Sequence, residues 1–237
     1  MSVFIPFPEP RLEATFLRRR NRFVAEFRGD HGEEFAAHCA NTGSMRGCLV
    51  PGGRAVLWDS AREDRKYRLS WEAIDVGPVW VGVDTALPNR LAGAVVAAGL
   101  LPELGTAPVV RREVVIAPGS RTDLLVESGG RRTWIEVKNV SLVEEGVARF
   151  PDAVTARGLK HLRELARRVE AGDRAMMVYV IQRADGQRFA PAHMLDPAYA
   201  QALREVHALG VSIRPLGCTV SPEGVRVDGL VPYDLSG

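Results

Sequence analysis

The sequence predicts a mixed α/β (α+β) chain in two parts. A small β-barrel spans residues 1–83, and a mixed sheet flanked by helices spans residues 84–237. Up to about residue 83 the chain is a series of short runs with alternating polarity, separated by glycine turns. Beyond it, helical spacing alternates with buried strand-like runs. The 46% apolar and 25% charged fractions are those of a folded globular protein, which excludes a disordered chain.

The first part reads as "RFVAEFR", "EEFAAHC", "RAVLWDS", "KYRLSWEAIDV" and "VWVGV", broken by "GDHG", "NTGS" and "VPGG". Short, closely spaced strands with glycine turns and no long helical pattern suggest a barrel of the oligonucleotide-binding kind. Within it, "FLRRRNRF" gathers Arg18, Arg19, Arg20 and Arg22 between two phenylalanines. Arginines beside aromatics can pair with phosphates and stack on bases, so this tract is the candidate nucleic-acid contact. The alternative is a solvated strand edge.

From residue 84, "LPNRLAGAVVAAG" reads as a helix ended by Gly99. "VVRREVVIA", "RTDLLVE" and "RTWIEVKNV" follow as strands. In "DAVTARGLKHLRELARRVEAG", Leu159, Leu162, Leu165, Ala166 and Val169 recur at helical spacing, and Gly172 closes the helix. "RAMMVYVIQ" is a buried strand. "DPAYAQALREVHALG" is a helix with Asp196 as its cap and Pro197 in its first turn, and "VSIRPLG" is a last strand. The order α, β, β, β, α, β, α, β predicts a sheet covered on both faces.

The chemistry concentrates in "TWIEVKNV". Side chains alternate along a strand, so Glu136 and Lys138 share one face while Ile135 and Val137 point to the other. Asp123 lies on the preceding strand across the "SGGR" turn, so its carboxylate can approach that of Glu136. Two such carboxylates repel unless a cation lies between them, and Mg²⁺ or Mn²⁺ favours oxygen ligands of this kind. Lys138 would then neutralise charge building on a phosphoryl group. A Glu-x-Lys by itself is a frequent chance pattern, and its other reading is a surface ion pair.

Composition limits the rest. A net charge of +2 does not by itself argue nucleic-acid binding. Cys39, Cys48 and Cys218 are too few for a disulfide framework, and the start of the chain has no signal-peptide pattern. "LAGAVVAAGLL" falls short of a membrane span. A cytoplasmic protein with no membrane partner is expected. His38, Cys39 and Cys48 resemble part of a zinc site but lack a fourth ligand, so buried thiols are the better reading. The turn Asn41, Thr42, Gly43 and Ser44 suits either a phosphate contact or a plain turn.

Several stretches together resemble the sugar fermentation stimulation protein A family: "HCANTGSMRGCLVPG", "VGVDTALPNRL", "SRTDLLV", "IEVKNVSLVEEGVARFPDAVTARGLKHLREL" and "FAPAHMLDPAYAQAL". The resemblance spans nearly the whole chain. It implies an oligonucleotide-binding barrel joined to a restriction-endonuclease-like domain of the PD-(D/E)xK kind. On that pattern Asp123, Glu136 and Lys138 match, with Thr122 where the superfamily's name puts proline. A third acid is implied, Glu103 or Glu113, with Glu113 favoured because its strand adjoins that of Asp123. Lys160 and His161 fall where such nucleases keep a further polar residue, and Lys160 is counted with the catalytic set. The implied partner is DNA, in single-stranded, duplex or branched form, and a homodimer is compatible with it. Three functions follow as expectations: a Mg²⁺- or Mn²⁺-dependent DNA nuclease, a non-catalytic DNA-binding regulator of sugar metabolism genes, or a small-molecule-binding protein.

Overall fold

The computed structural model describes residues 2–236. Its first half contains β2 (Arg11–Asn21), β3 (Val24–Arg28), β4 (Glu34–His38), β5 (Arg54–Asp59), β6 (Leu69–Asp75) and β7 (Trp80–Gly82), following β1 (Val3–Pro6). The six strands from β2 to β7 form one sheet in the order β4-β3-β2-β5-β6-β7, and a pairing of His38 with Ser70 joins β4 to β6 and closes it into a barrel. Phe16, Phe27 and Trp71 fill its centre, with the Phe16 and Trp71 rings stacked 4.9 Å apart. Cys39 and Cys48 are buried in the same core. Burial pushes the Cys48 thiol up to about 11, so these are inert core thiols rather than metal ligands.

The second half begins with α1 (Leu87–Ala97), whose chain turns out of the helix at Gly99 (φ 69°). Next come β8 (Val109–Ala117), β9 (Ser120–Ser128), β10 (Arg131–Val140), β11 (Leu142–Glu144), β12 (Val147–Phe150) and α2 (Ala156–Glu170). The chain ends with β13 (Arg174–Ile181), β14 (Arg188–Pro191), α3 (Pro197–Ala208), β15 (Ser212–Ser221) and β16 (Gly224–Leu230). The main sheet runs β1-β16-β15-β13-β10-β9-β8, with β10, β13 and β15 parallel and the other pairs antiparallel. This is the expected mixed sheet, covered by α1 on one face and by α2 and α3 on the other. Asp196 caps α3, accepting from the Tyr199 amide at 3.0 Å.

Three features depart from the expectation. "VSIRPLG" is not the last strand, because β16 follows β15 and pairs with it antiparallel. Residues Val3–Pro6 lie outside the barrel and form an edge of the main sheet, paired with β16. The segment after β10 folds into a separate three-stranded sheet, β11-β12-β14. No helix among the described residues is long and apolar enough to cross a membrane.

Candidate functional site

The site is built where β8, β9 and β10 stop pairing regularly. The β9–β10 turn holds Gly129 and Gly130 at φ 55° and 73°, the geometry of a tight hairpin. From there the strands pair as far as Ile135 opposite Leu124. Asp123 and Glu136 occupy the next opposed positions, where the strands part. Asp123 Oδ2 accepts from the Val137 amide at 2.7 Å, and Thr122 Oγ1 donates to the Ile135 carbonyl at 2.7 Å. The hydroxyl of Thr122 thus ties the two strands at the point of divergence, which a proline there could not do.

On the other side, Arg112 pairs with Leu124 and Val114 with Thr122, which sets Glu113 opposite Asp123. Glu113 has a φ of 53°, the left-handed region that costs a non-glycine residue about 1–2 kcal/mol. Strain of this kind concentrates at functional positions. Glu113, Asp123 and Glu136 therefore form a rank across three strands, and all three line one cleft of about 490 Å³. Glu103, the alternative third acid, lies elsewhere, paired with Arg214 at 2.6 Å.

As the strand period requires, Ile135 and Val137 enter the core under α1 while Glu136 and Lys138 face the cleft. Lys138 Nζ lies 2.5 Å from Glu136 Oε1, and His161 Nδ1 makes a short contact with the same oxygen. Arg157 donates to His161 Nε2 at 3.4 Å, which leaves the ring proton on Nδ1, aimed at Glu136. Glu136 is only 4% exposed. Burial works to raise its pKa, but the His161 hydrogen bond and the Lys138 charge outweigh it and hold the carboxyl below its ordinary range. Asp123 goes the other way. Burial first, and then the charge of Glu136, push its carboxyl above the ordinary range, despite hydrogen bonds from Val137 and from Asn89 Nδ2 at 2.8 Å.

This donor set suits a hard divalent cation: carboxylate oxygens on neighbouring strands, one of them destabilised as an anion by the next. Among the described residues, no group of three or more His, Cys, Asp or Glu side chains converges closely enough to hold a metal ion. A cation here would rest on Asp123 and Glu136 and complete its shell with water or substrate oxygens, the arrangement Mg²⁺ prefers.

Of the two helix residues singled out, His161 enters the cleft and Lys160 does not. Lys160 is exposed on α2, 3.6 Å from Glu164, and lines an adjoining hollow. The arginine tract is also divided. Arg18 and Arg20 both pair with Glu26 across the β2–β3 hairpin, Arg18 at 2.5 Å. Arg19 turns inward and donates to the carbonyls of Gly43, Asn41 and Arg22 at 2.8, 2.6 and 3.0 Å. It is a structural residue. Arg22 remains exposed and makes no ion pair among the described residues.

Some of the cleft was not apparent beforehand. Asn89, from the first turn of α1, reaches Asp123, and Arg121 of β9 and Arg149 of β12 line the cleft. Asp152 closes the cleft against the barrel, its Oδ2 accepting from Ser44 Oγ at 2.9 Å and the Met45 amide at 3.0 Å. The 41–44 turn thereby forms a wall of the cleft, with Gly43 so close that a Cβ would lie 2.9 Å from Asp152 Oδ2. "LPNRL" and "NTGS" were the only local signals for Asn89 and the 41–44 turn, and neither reveals which carboxylate it meets.

Comparison with known proteins agrees with this architecture. A family model described as "SfsA N-terminal OB domain" matches residues 17–83, and one described as "Sugar fermentation stimulation protein RE domain" matches residues 86–224. A sugar fermentation stimulation protein homolog from Thioalkalivibrio sulfidiphilus is 47% identical over 231 residues, covering 96% of this chain and 98% of the relative. One from Geotalea uraniireducens is 44% identical over 222 residues, covering 94% and 96%. The solved structure of Pyrococcus furiosus SfsA in complex with Ca²⁺ superposes with a TM-score of 0.88 at 28% identity, over 97% of this chain and 98% of that one.

Proposed function

The chain belongs to the sugar fermentation stimulation protein family, and from that premise we propose that it binds DNA and cleaves its phosphodiester bonds with Mg²⁺ or Mn²⁺ at the cleft between barrel and sheet. The observation that carries this reading is the rank Glu113, Asp123 and Glu136 with Lys138 beside it, in a cleft rimmed by Arg121, Arg149 and Arg157. The relative from Pyrococcus furiosus, described in complex with Ca²⁺, supports a place for an oxygen-seeking divalent cation in this family.

Asp123 and Glu136 would hold the metal, which when bound supplies Lewis-acid activation of a phosphoryl oxygen and a more acidic water. Around it the chain's own residues do the positioning. His161 donates to Glu136 and fixes the orientation of its carboxylate. Lys138 is aimed into the cleft as a compact positive charge, suited to neutralising charge that builds on the phosphoryl oxygens. The arginines of the rim pair with flanking phosphates. Asp152 and the 41–44 turn narrow the entrance.

A second reading rests on a specific observation. Both carboxylates already have protein partners: Val137 and Asn89 for Asp123, Lys138 and His161 for Glu136. A non-catalytic DNA-binding regulator could keep them for structure. A cleavage assay in Mg²⁺ or Mn²⁺ on single-stranded, duplex and branched DNA decides between the two. Cutting by the wild type, reduced on the order of 10²- to 10³-fold in Lys138→Ala with DNA still bound, is the expected result. Lys138→Arg restores it only in part, because the planar fork misplaces the charge. Retention on DNA with no cutting of any form favours the regulator.

A further inference from the structure

We propose that the cleft is the middle of a continuous track for single-stranded DNA, running from Arg121 and Lys160, over the carboxylates, to a base-stacking platform made by Phe23 and Arg22 at the tip of the β2–β3 hairpin. The inference rests on the proposed nucleic-acid site and assigns it a substrate form and a second contact.

The cleft is the central one of three hollows with shared walls. On one side it shares Glu113, Arg121, Arg157 and His161 with a hollow that Lys160 also lines. On the other it shares Thr42, Gly43, Phe150 and Asp152 with a hollow that reaches Arg22. Arginines or lysines line all three hollows, while the acids gather in the central one and the walls it shares, a pattern suited to a polyanion crossing a cation site.

At the far end, Phe23 is 56% exposed and follows Arg22, whose exposed guanidinium makes no ion pair among the described residues. The backbone that carries the ring is held in place. The Phe23 amide donates to Asn21 Oδ1 at 2.9 Å, and Arg19 grips the Arg22 carbonyl and the 41–43 turn together, fastening the hairpin tip to the wall of the cleft. An exposed aromatic side chain on a held hairpin tip, next in sequence to an arginine with no ion pair among the described residues, is a platform for a base. A duplex keeps its base faces stacked inside and offers only phosphates and groove edges, whereas a single strand offers a π-face at every nucleotide. The carboxylate floor agrees: Glu136, 4% exposed between two walls, is reached more readily by one thin strand.

The test uses the full chain carrying Asp123→Asn, so that bound strands stay intact, and fluorescence titration with a labelled oligothymidylate. Adding Phe23→Ala should weaken binding about tenfold, the loss of one stacked base, and Phe23→Trp should restore it. Arg22→Ala should flatten the slope of log affinity against log salt by about 0.7. A photoreactive thymidine in the strand should cross-link to the 22–23 tip. Single-strand affinity unchanged in Phe23→Ala, or a loss equally large on a duplex, overturns the track even if the wild type cuts DNA. Failure of both the wild type and the Asp123→Asn chain to bind any DNA overturns the activity beneath it.

Discussion

Asp123 carries an electrostatic signature that stability can report. Its pKa is raised by burial and by Glu136, so its contribution to stability is present below the ordinary aspartate range and is lost as pH rises through the raised value. At neutral pH without metal, Asp123→Asn should therefore be at least as stable as the wild type, since the amide keeps an acceptor for the Val137 N–H. Added Mg²⁺ should reverse the order. At ten times its dissociation constant, a ligand of the folded state adds about 1.4 kcal/mol. For a chain of this size that is a rise of roughly 3 to 6 °C in Tm. The rise should be larger at pH 8 than at pH 5, because protons compete with the cation for Asp123, and it should vanish in Asp123→Asn. Scanning calorimetry with and without Mg²⁺ checks all three, and a wild type whose Tm ignores the metal removes the cation from this cleft. The same scale shows what spacing alone conveys. The face shared by Glu136 and Lys138 followed from the strand period. Choosing His161 over Lys160 needed the rotation of α2 about its axis, since adjacent helical positions differ by about 100°. Arg19 looked like its neighbours in the tract, yet it turns inward while Arg18 and Arg20 reach Glu26.

At the scale of elements, β9, β10, α2 and α3 were legible because local rules govern them: a glycine turn, a period of two, an apolar stripe, an Asp-Pro cap. The β11-β12-β14 sheet was not, because its strands are 3 or 4 residues long and β12 pairs with β14 across the whole of α2 and β13. Nor was the place of β1, whose partner lies at the other end of the chain. β6 carries a residue no pattern announced. Glu72 is buried on this strand, and burial, aided by Asp84 and opposed by Arg90, pushes its pKa up to about 8. For an acid with a raised pKa, stability is full below the unfolded value near 4.5 and is lost as pH rises through about 8. Glu72→Gln removes that loss while keeping the shape. Relative to the wild type, the variant should gain on the order of a few kcal/mol between pH 5 and pH 9, at about 1.4 kcal/mol for each pKa unit. Denaturant titrations at the two pH values measure it. A constant difference between the two proteins would mean that Glu72 is ionised throughout.

At the scale of the molecule, the two halves are not separate bodies joined by a linker. Phe7, Val56 and Ala73 from the first half belong to the same buried cluster as Leu87, Leu91 and Val95 of α1 and Ile135, Val137 and Val178 of the main sheet. The backbone also bridges them. The Gly82 amide donates to the Gln182 carbonyl at 2.9 Å, and Gln182 Nε2 donates to the Asp84 carbonyl at 3.1 Å and to Asn139 Oδ1 at 2.9 Å. Unfolding the barrel alone would expose the shared cluster to water and strip Asp152 of its Ser44 and Met45 partners, leaving the cleft without a wall. Multidomain chains commonly melt in steps, but a chain with a common core should not. Heat should therefore unfold this protein in one transition, with an enthalpy of about 165 kcal/mol at the specific value near 60 °C. Tryptophan fluorescence, which reports mainly on the barrel through Trp58, Trp71 and Trp80, should change at the same temperature as the helical circular dichroism of α1, α2 and α3. Two resolved transitions, or a calorimetric enthalpy well above the van't Hoff value, would show that barrel and sheet unfold independently and that the cleft between them is held by surface contacts alone.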